Sequence, residues 1–157
     1  MAVPGDPDLR IFECTTYLRY AEPGAGVPYH PEAARAEYEA GHNVGVFERL
    51  KECGIHGKEA LLAGDLEGFG AVMNANWAAQ KALHPEITTP YIEELHEKTC
   101  AAGALGFKAN GAGGGGTVTI LAQRNRDHHV RTAVEELGMT VLPSKLDSGG
   151  LRVWEVP

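Results

Sequence analysis

Hydrophobic and polar positions divide this chain into segments of two different periods. "LRIFECTTYLRY", Leu9 to Tyr20, concentrates β-branched and aromatic residues and predicts a strand. "AEPGAGVPYHP" (21–31) holds three prolines and two glycines and predicts a loop. Pro31 suits the first turn of a helix that carries "EAARAEYEA" to a break near Gly41. A second helical stretch is expected from about Val44 to Cys53, and "GIHGKEALLAGD" then reads as a Gly-punctuated turn and a short helix. The clearest helix runs from Leu66 to Leu83, where Leu66, Phe69, Met73, Trp77 and Leu83 recur at helical spacing behind Asp65 as N-cap. After the interruption "HPEITTP", Thr89 caps a helix with Pro90 at its first position, Ile92 and Leu95 facing inward and Gly103 as its stop.

The period then changes from helical to alternating. "LGFKAN" and "TVTILAQ" predict strands on either side of a run of glycines. "NRDHHVRTAVEELG" predicts a helix with Val130, Val134 and Leu137 on one face and Gly138 at its end. "MTVLPSKL" and "LRVWEV" predict a last hairpin-like pair around Asp147-Ser148-Gly149-Gly150. This order gives an α+β class: a ferredoxin-like antiparallel βαββαβ sheet with several helices added in the first crossover, residues 1–157 forming one domain.

Composition narrows the partners. Apolar residues make up 43% of the chain, enough for a real core, and no run is long enough to span a bilayer. The N-terminus lacks the basic-then-apolar pattern of a signal peptide. A net charge of −7 argues against a general nucleic-acid or membrane-surface binder, though it leaves room for a local basic pocket. Cys14, Cys53 and Cys100 show no CxxC spacing, so they read as reduced, mostly buried thiols of a cytoplasmic protein, with no structural zinc.

The glycine run asks for a reason. Between Lys108 and Thr117 stand Ala109, Asn110, Gly111, Ala112, Gly113, Gly114, Gly115 and Gly116. A flexible linker would usually bring Ser or other polar residues, and here both flanks are strands. Gly111, Gly113 and Gly116 satisfy G-x-G-x-x-G, but the dinucleotide fingerprint needs a helix to follow and a strand follows. An ATP-binding P-loop needs a Lys-Ser or Lys-Thr pair closing the glycines, and none is present. A structural hairpin needs one or two glycines, not four in a row. What remains is a connection between antiparallel strands whose backbone N–H groups turn into one concavity, a nest for anions, with Lys108 adding charge.

These residues carry a resemblance. "AAGALGFKANGAGGGGTVTILA" (101–122) resembles the C-terminal glycine motif of the GHMP kinases, through Gly103, Ala104, Gly106, Lys108 and Gly111 to Gly116. "FGAVMNANWAAQKAL" (69–83) is similar to the family's upstream helix, and its Trp with a following Lys-x-Leu looks like the sugar-kinase branch that includes heptose-phosphate kinases, fucokinase-like and galactokinase-like enzymes. The resemblance implies a C-terminal, substrate-side domain of an ATP-dependent sugar or sugar-phosphate kinase. Lys108, Asn110, Gly111, Ala112, Gly113, Gly114, Gly115, Gly116 and Asn74 would then meet phosphate or substrate, with no catalytic residue and no metal ligand in this chain. ATP and Mg²⁺ are implied for the complete enzyme. The family's G-L-G-S-S-A nucleotide loop has no counterpart here, so the nucleotide-binding N-terminal half is expected to be absent and the chain inactive alone. Its expected partners are a sugar ligand and either that missing half or a second copy, which would cover an exposed apolar patch. The alternative is a non-catalytic ferredoxin-like module that binds an anion or sugar phosphate or mediates oligomerisation.

Elsewhere the side chains read quietly. Trp77 is expected in the core; Asn74, one turn earlier, either bridges a nearby loop or, by the resemblance, stands near the sugar. His128-His129 read as an exposed helix start, and Glu94 with Lys98 as a solvated i, i+4 pair.

Overall fold

The computed structural model describes residues 11–16, 35, 38–111, 116–143 and 153. The order is β1 (Ile11–Thr16), α1 (Val44–Ala63), α2 (Leu66–Lys81), a 3₁₀ turn (Pro85–Ile87), α3 (Pro90–Ala102), β2 (Ala104–Ala109), β3 (Gly116–Ala122), α4 (Asp127–Glu136) and β4 (Thr140–Leu142). The four strands form one sheet in the order β2-β3-β1-β4, each neighbouring pair antiparallel. That is the ferredoxin-like arrangement, with α1, α2 and α3 in the first crossover and α4 in the second.

One face of the sheet supplies Phe107, Ala109, Val118, Ile120 and Ala122 to the core. They pack with Trp77, Ile87, Ile92, Leu95, Val130, Val134 and Met139. Alternation along β2 and β3 is what places these apolar side chains together. Each large aliphatic or aromatic side chain so buried contributes about 1.5–3 kcal/mol.

The expected caps are in place. Asp65 accepts from the Gly68 N–H at 2.8 Å, and Thr89 accepts from the Ile92 N–H with Pro90 at the first helical position. Gly103 and Gly138 close their helices with φ of 107° and 73°. Glu94 and Lys98 pair at 3.2 Å on an exposed face, and both His128 and His129 are exposed.

Two expectations need correction. The turn expected at "GIHG" does not exist: α1 is one continuous helix through Gly54 and Gly57, ended by Gly64 at φ 71°. Each glycine costs a helix about 1 kcal/mol relative to alanine. Gly57 is nonetheless buried against Phe69 and Val72 of α2, at distances where even a Cβ would make ordinary contact, so packing on α2 carries the helix through it. The cysteines are also less buried than expected: Cys53 is half-buried and Cys100 exposed. Cys100 follows the inward-facing Thr99 and is turned about 100° round the helix from it. The flanks of β1, most of the helix expected from Pro31, residues 112–115 and the second strand of the last hairpin lie outside the described residues.

Candidate functional site at the stem of the glycine loop

The connection between β2 and β3 runs from Gly111 to Gly116, and its stem is built from polar side chains. The ladder extends one step past β2, where the Asn110 N–H donates to the Thr117 carbonyl at 2.8 Å. The Asn110 side-chain amide donates to Thr117 Oγ1 at 2.9 Å and Thr119 Oγ1 at 3.0 Å, and the Thr119 hydroxyl donates back to Asn110 Oδ1 at 3.1 Å. Two threonines at i, i+2 share one face of β3, so one amide can bridge both. Gly111 and Gly116 stand at the loop's two ends with φ of 72° and 100°, and an added Cβ would meet nothing within 4 Å at either. Backbone conformation, not crowding, calls for glycine at those two positions.

Helix α2 reaches the same stem. Gln80 is buried, and its Nε2 donates to the Gly111 carbonyl at 2.7 Å. Gln80 follows Met73 and Trp77 at i+7 and i+3 on the inward face. A polar residue at a core position is the sequence signal for Gln80, which, like Thr117 and Thr119, is not among the site residues expected above.

Lys108 stands on β2 in register with Thr119. Its Nζ donates to the Ala109 carbonyl at 3.0 Å, and burial holds its ammonium below the usual lysine range. Lys108, Asn110, Gly111 and Gly116 are thus gathered at one end of the sheet, while Ala112 to Gly115 lie outside the described residues.

Asn74 engages β2 further back. Its Nδ2 donates to the Leu105 carbonyl at 2.9 Å and its Oδ1 accepts from the Phe107 N–H at 2.9 Å. Strand β2 is the edge of the sheet, so this one amide replaces a missing neighbouring strand for two backbone groups. Close by, α2 and β2 touch backbone to backbone. A Cβ on Gly106 would lie 2.8 Å from the Gly70 Cα, and one on Gly70 would lie 2.8 Å from the Leu105 carbonyl oxygen.

Behind the stem lies a second polar group. Lys81 pairs with both oxygens of Glu93, at 3.0 and 2.9 Å, and its Nζ sits 5.5 Å from the Trp77 ring centroid. Burial pushes the Glu93 carboxyl up, but the Thr88 hydroxyl and the Lys81 ammonium outweigh it and leave Glu93 below its ordinary value. His96 stacks on Phe107 with ring centroids 4.6 Å apart, and burial followed by Lys81 holds its imidazole below the ordinary 6.5. Trp77 is in the core, 1% exposed, and its Nε1 finds no acceptor among the described residues.

Among the described residues the stem thus sets the Lys108 cation beside neutral amide and hydroxyl groups, a set suited to anionic oxygen. No group of three or more His, Cys, Asp or Glu that could hold a metal ion occurs among the described residues. The donors here do not fit Mg²⁺, and no chemistry at this stem is assigned to it.

Comparison with known proteins agrees with this architecture. The family described as "GHMP kinases C terminal" matches residues 58–138. The chain is similar to the mevalonate kinase of Pyrococcus furiosus, 38% identical over 90 residues that cover 57% of this chain and 26% of that protein. It is also similar to the bifunctional fucokinase/GDP-fucose pyrophosphorylase of Arabidopsis thaliana, 32% identical over 57% of this chain and 8% of that protein. Among solved structures, the Streptococcus pneumoniae phosphomevalonate kinase shares the fold with a TM-score of 0.66 at 18% identity, over 85% of this chain and 39% of that one. The match with the archaeal relative thus spans about a quarter of that protein's length.

Proposed function

The chain belongs to the family of GHMP kinase C-terminal domains, and on that premise we propose that it is the substrate-side half of an ATP-dependent kinase whose acceptor is a sugar or sugar phosphate. Phosphoryl transfer is mainly positioning and charge neutralisation. The reading rests on one observation: Lys108, a half-buried ammonium, stands at a glycine-loop stem fixed from two sides by Gln80 and Asn110. In this reading the loop closes over the transferred group, Lys108 supplies the positive charge, and Asn110 with Gly111 to Gly116 frames the anion. Asn74, with both ends of its amide on β2, keeps that strand in place and so sets where Lys108 stands. The fucokinase and a galactokinase from Streptococcus thermophilus among its relatives support a sugar acceptor, as do Trp77, Lys81 and Leu83 in the upstream helix. ATP and Mg²⁺ would be held by a nucleotide-binding half that works with this one in the cytoplasm.

Calorimetric titration with galactose 1-phosphate, inorganic phosphate and mevalonate tests the proposal. A hydrogen bond to a charged group contributes about 1.5–3 kcal/mol, so Lys108→Met should weaken sugar-phosphate binding roughly 10- to 100-fold. Binding of mevalonate but no sugar phosphate would refute the sugar acceptor. Sugar-phosphate binding that never supports transfer when a nucleotide-binding half is supplied would make the chain a non-catalytic module.

A further inference from the structure

Helix α1 is apolar on two sides. Its inner side carries the buried Val46 and Gly57 and packs on α2. The opposite side carries Val44, Ile55 and Leu62, which are 41%, 49% and 63% exposed. With the exposed Glu48, Lys51 and Lys58 they form one stripe at positions 44, 48, 51, 55, 58 and 62. The steps are four, three, four, three, four, the spacing of a coiled-coil seam. Among the described residues, helix packing does not use this stripe.

We propose that this stripe is the interface between two copies of the chain, paired through α1 in antiparallel orientation. Opposed so that residue 44 meets residue 62, no position of the stripe meets a like charge. Val44 faces Leu62 of the second copy, Glu48 faces its Lys58, and Lys51 faces its Ile55. A two-fold axis repeats each pair. The lysine stems cover apolar surface while their ammonium groups reach water. Charge selects the occupant and the direction: parallel pairing in register would set Glu48 against Glu48 and Lys58 against Lys58, which opposes association. A single helix seam about 30 Å long is small beside the ~1,200 Å² of a stable interface, so the dimer should form only at roughly 100 µM and above. The interface stands independently of the kinase reading.

Sedimentation equilibrium of the 157-residue chain tests it. The expected result is a monomer–dimer equilibrium for the native sequence. Glu48→Lys alone and Lys58→Glu alone should each weaken self-association roughly tenfold or more. An equimolar mixture of the two single variants should form a heterodimer, because each then meets its opposite charge, and the double variant should dimerise like the native chain. Circular dichroism reports that these exposed substitutions leave the fold intact. A native chain that stays monomeric to about 1 mM would overturn the proposal and leave the stripe to another segment of a longer polypeptide. A dimer indifferent to the single reversals, or single variants that the mixture does not rescue, would overturn it equally.

Discussion

At the scale of single residues, the molecule separates glycines that a backbone approach requires from glycines that nothing nearby requires. Gly106 faces the backbone of Gly70, which cannot retreat without moving α2 along the strand. A Cβ there would also meet Met73 Sδ at 3.0 Å; that side chain can give way but the Gly70 backbone cannot, and overpacking of this kind costs about 1–3 kcal/mol. Gly106→Ala should lower the melting temperature by about 5–10 °C. Gly54 lies mid-helix in open space, so Gly54→Ala should raise stability by about 0.5–1 kcal/mol. Paired thermal denaturation curves check both signs at once. Lys108, which the proposed function sets beside the anion, shows the opposite bias. Its charged form is disfavoured by burial, so the unfolded chain binds its proton more readily, and stability from this group rises with pH up to the ordinary lysine range. Removing the charge by Lys108→Met should therefore leave the melting temperature no lower than native, even where it removes the proposed anion binding.

At the scale of elements, the caps and periods were legible because each is a local matter: Asp65, Thr89-Pro90, Gly103 and Gly138 act on the turn they belong to. The turn expected at Gly54 and Gly57 is overridden because α1 packs along α2, a partner that local propensity does not contain. The strand alternation gave β2 and β3, but the Asn110–Thr117–Thr119 bridge and the Gln80 tether depend on register and on how α2 crosses the sheet. The α3 helix carries a prediction of its own. His96 is held neutral by burial against Phe107 and by Lys81, with Glu93 and Glu97 partly opposing. Its folded value lies below 6.5, so its contribution is complete above that pH and is lost as pH falls through the folded value. Glu93, also lowered, loses its contribution further down, below 4.5. Denaturant midpoints between pH 7.5 and 5 should therefore fall in the native chain and fall less in His96→Gln. Equal slopes would show that His96 does not govern the acid limb.

At the scale of the whole molecule, stability is distributed unevenly. The sheet, α3, α4 and the end of α2 share one core, in which Phe107, Val118, Ile120, Leu95 and Val130 are all fully buried. Helix α1 packs chiefly on α2, with few buried residues of its own. Few buried apolar contacts mean a low free energy of local opening, whereas β3 opens only with the whole domain. Hydrogen exchange should accordingly show α1 amides exchanging well before those of β3 and α4. Antiparallel self-association adds a second layer, because a contact made only by the folded helix stabilises it by mass action. Protection of α1 should then rise between about 10 µM and 500 µM protein, while β3 protection changes little. In Glu48→Lys the concentration dependence should vanish with the early exchange of α1 retained. Protection of α1 equal to that of β3 at every concentration would mean that α1 belongs to the same cooperative unit as the core.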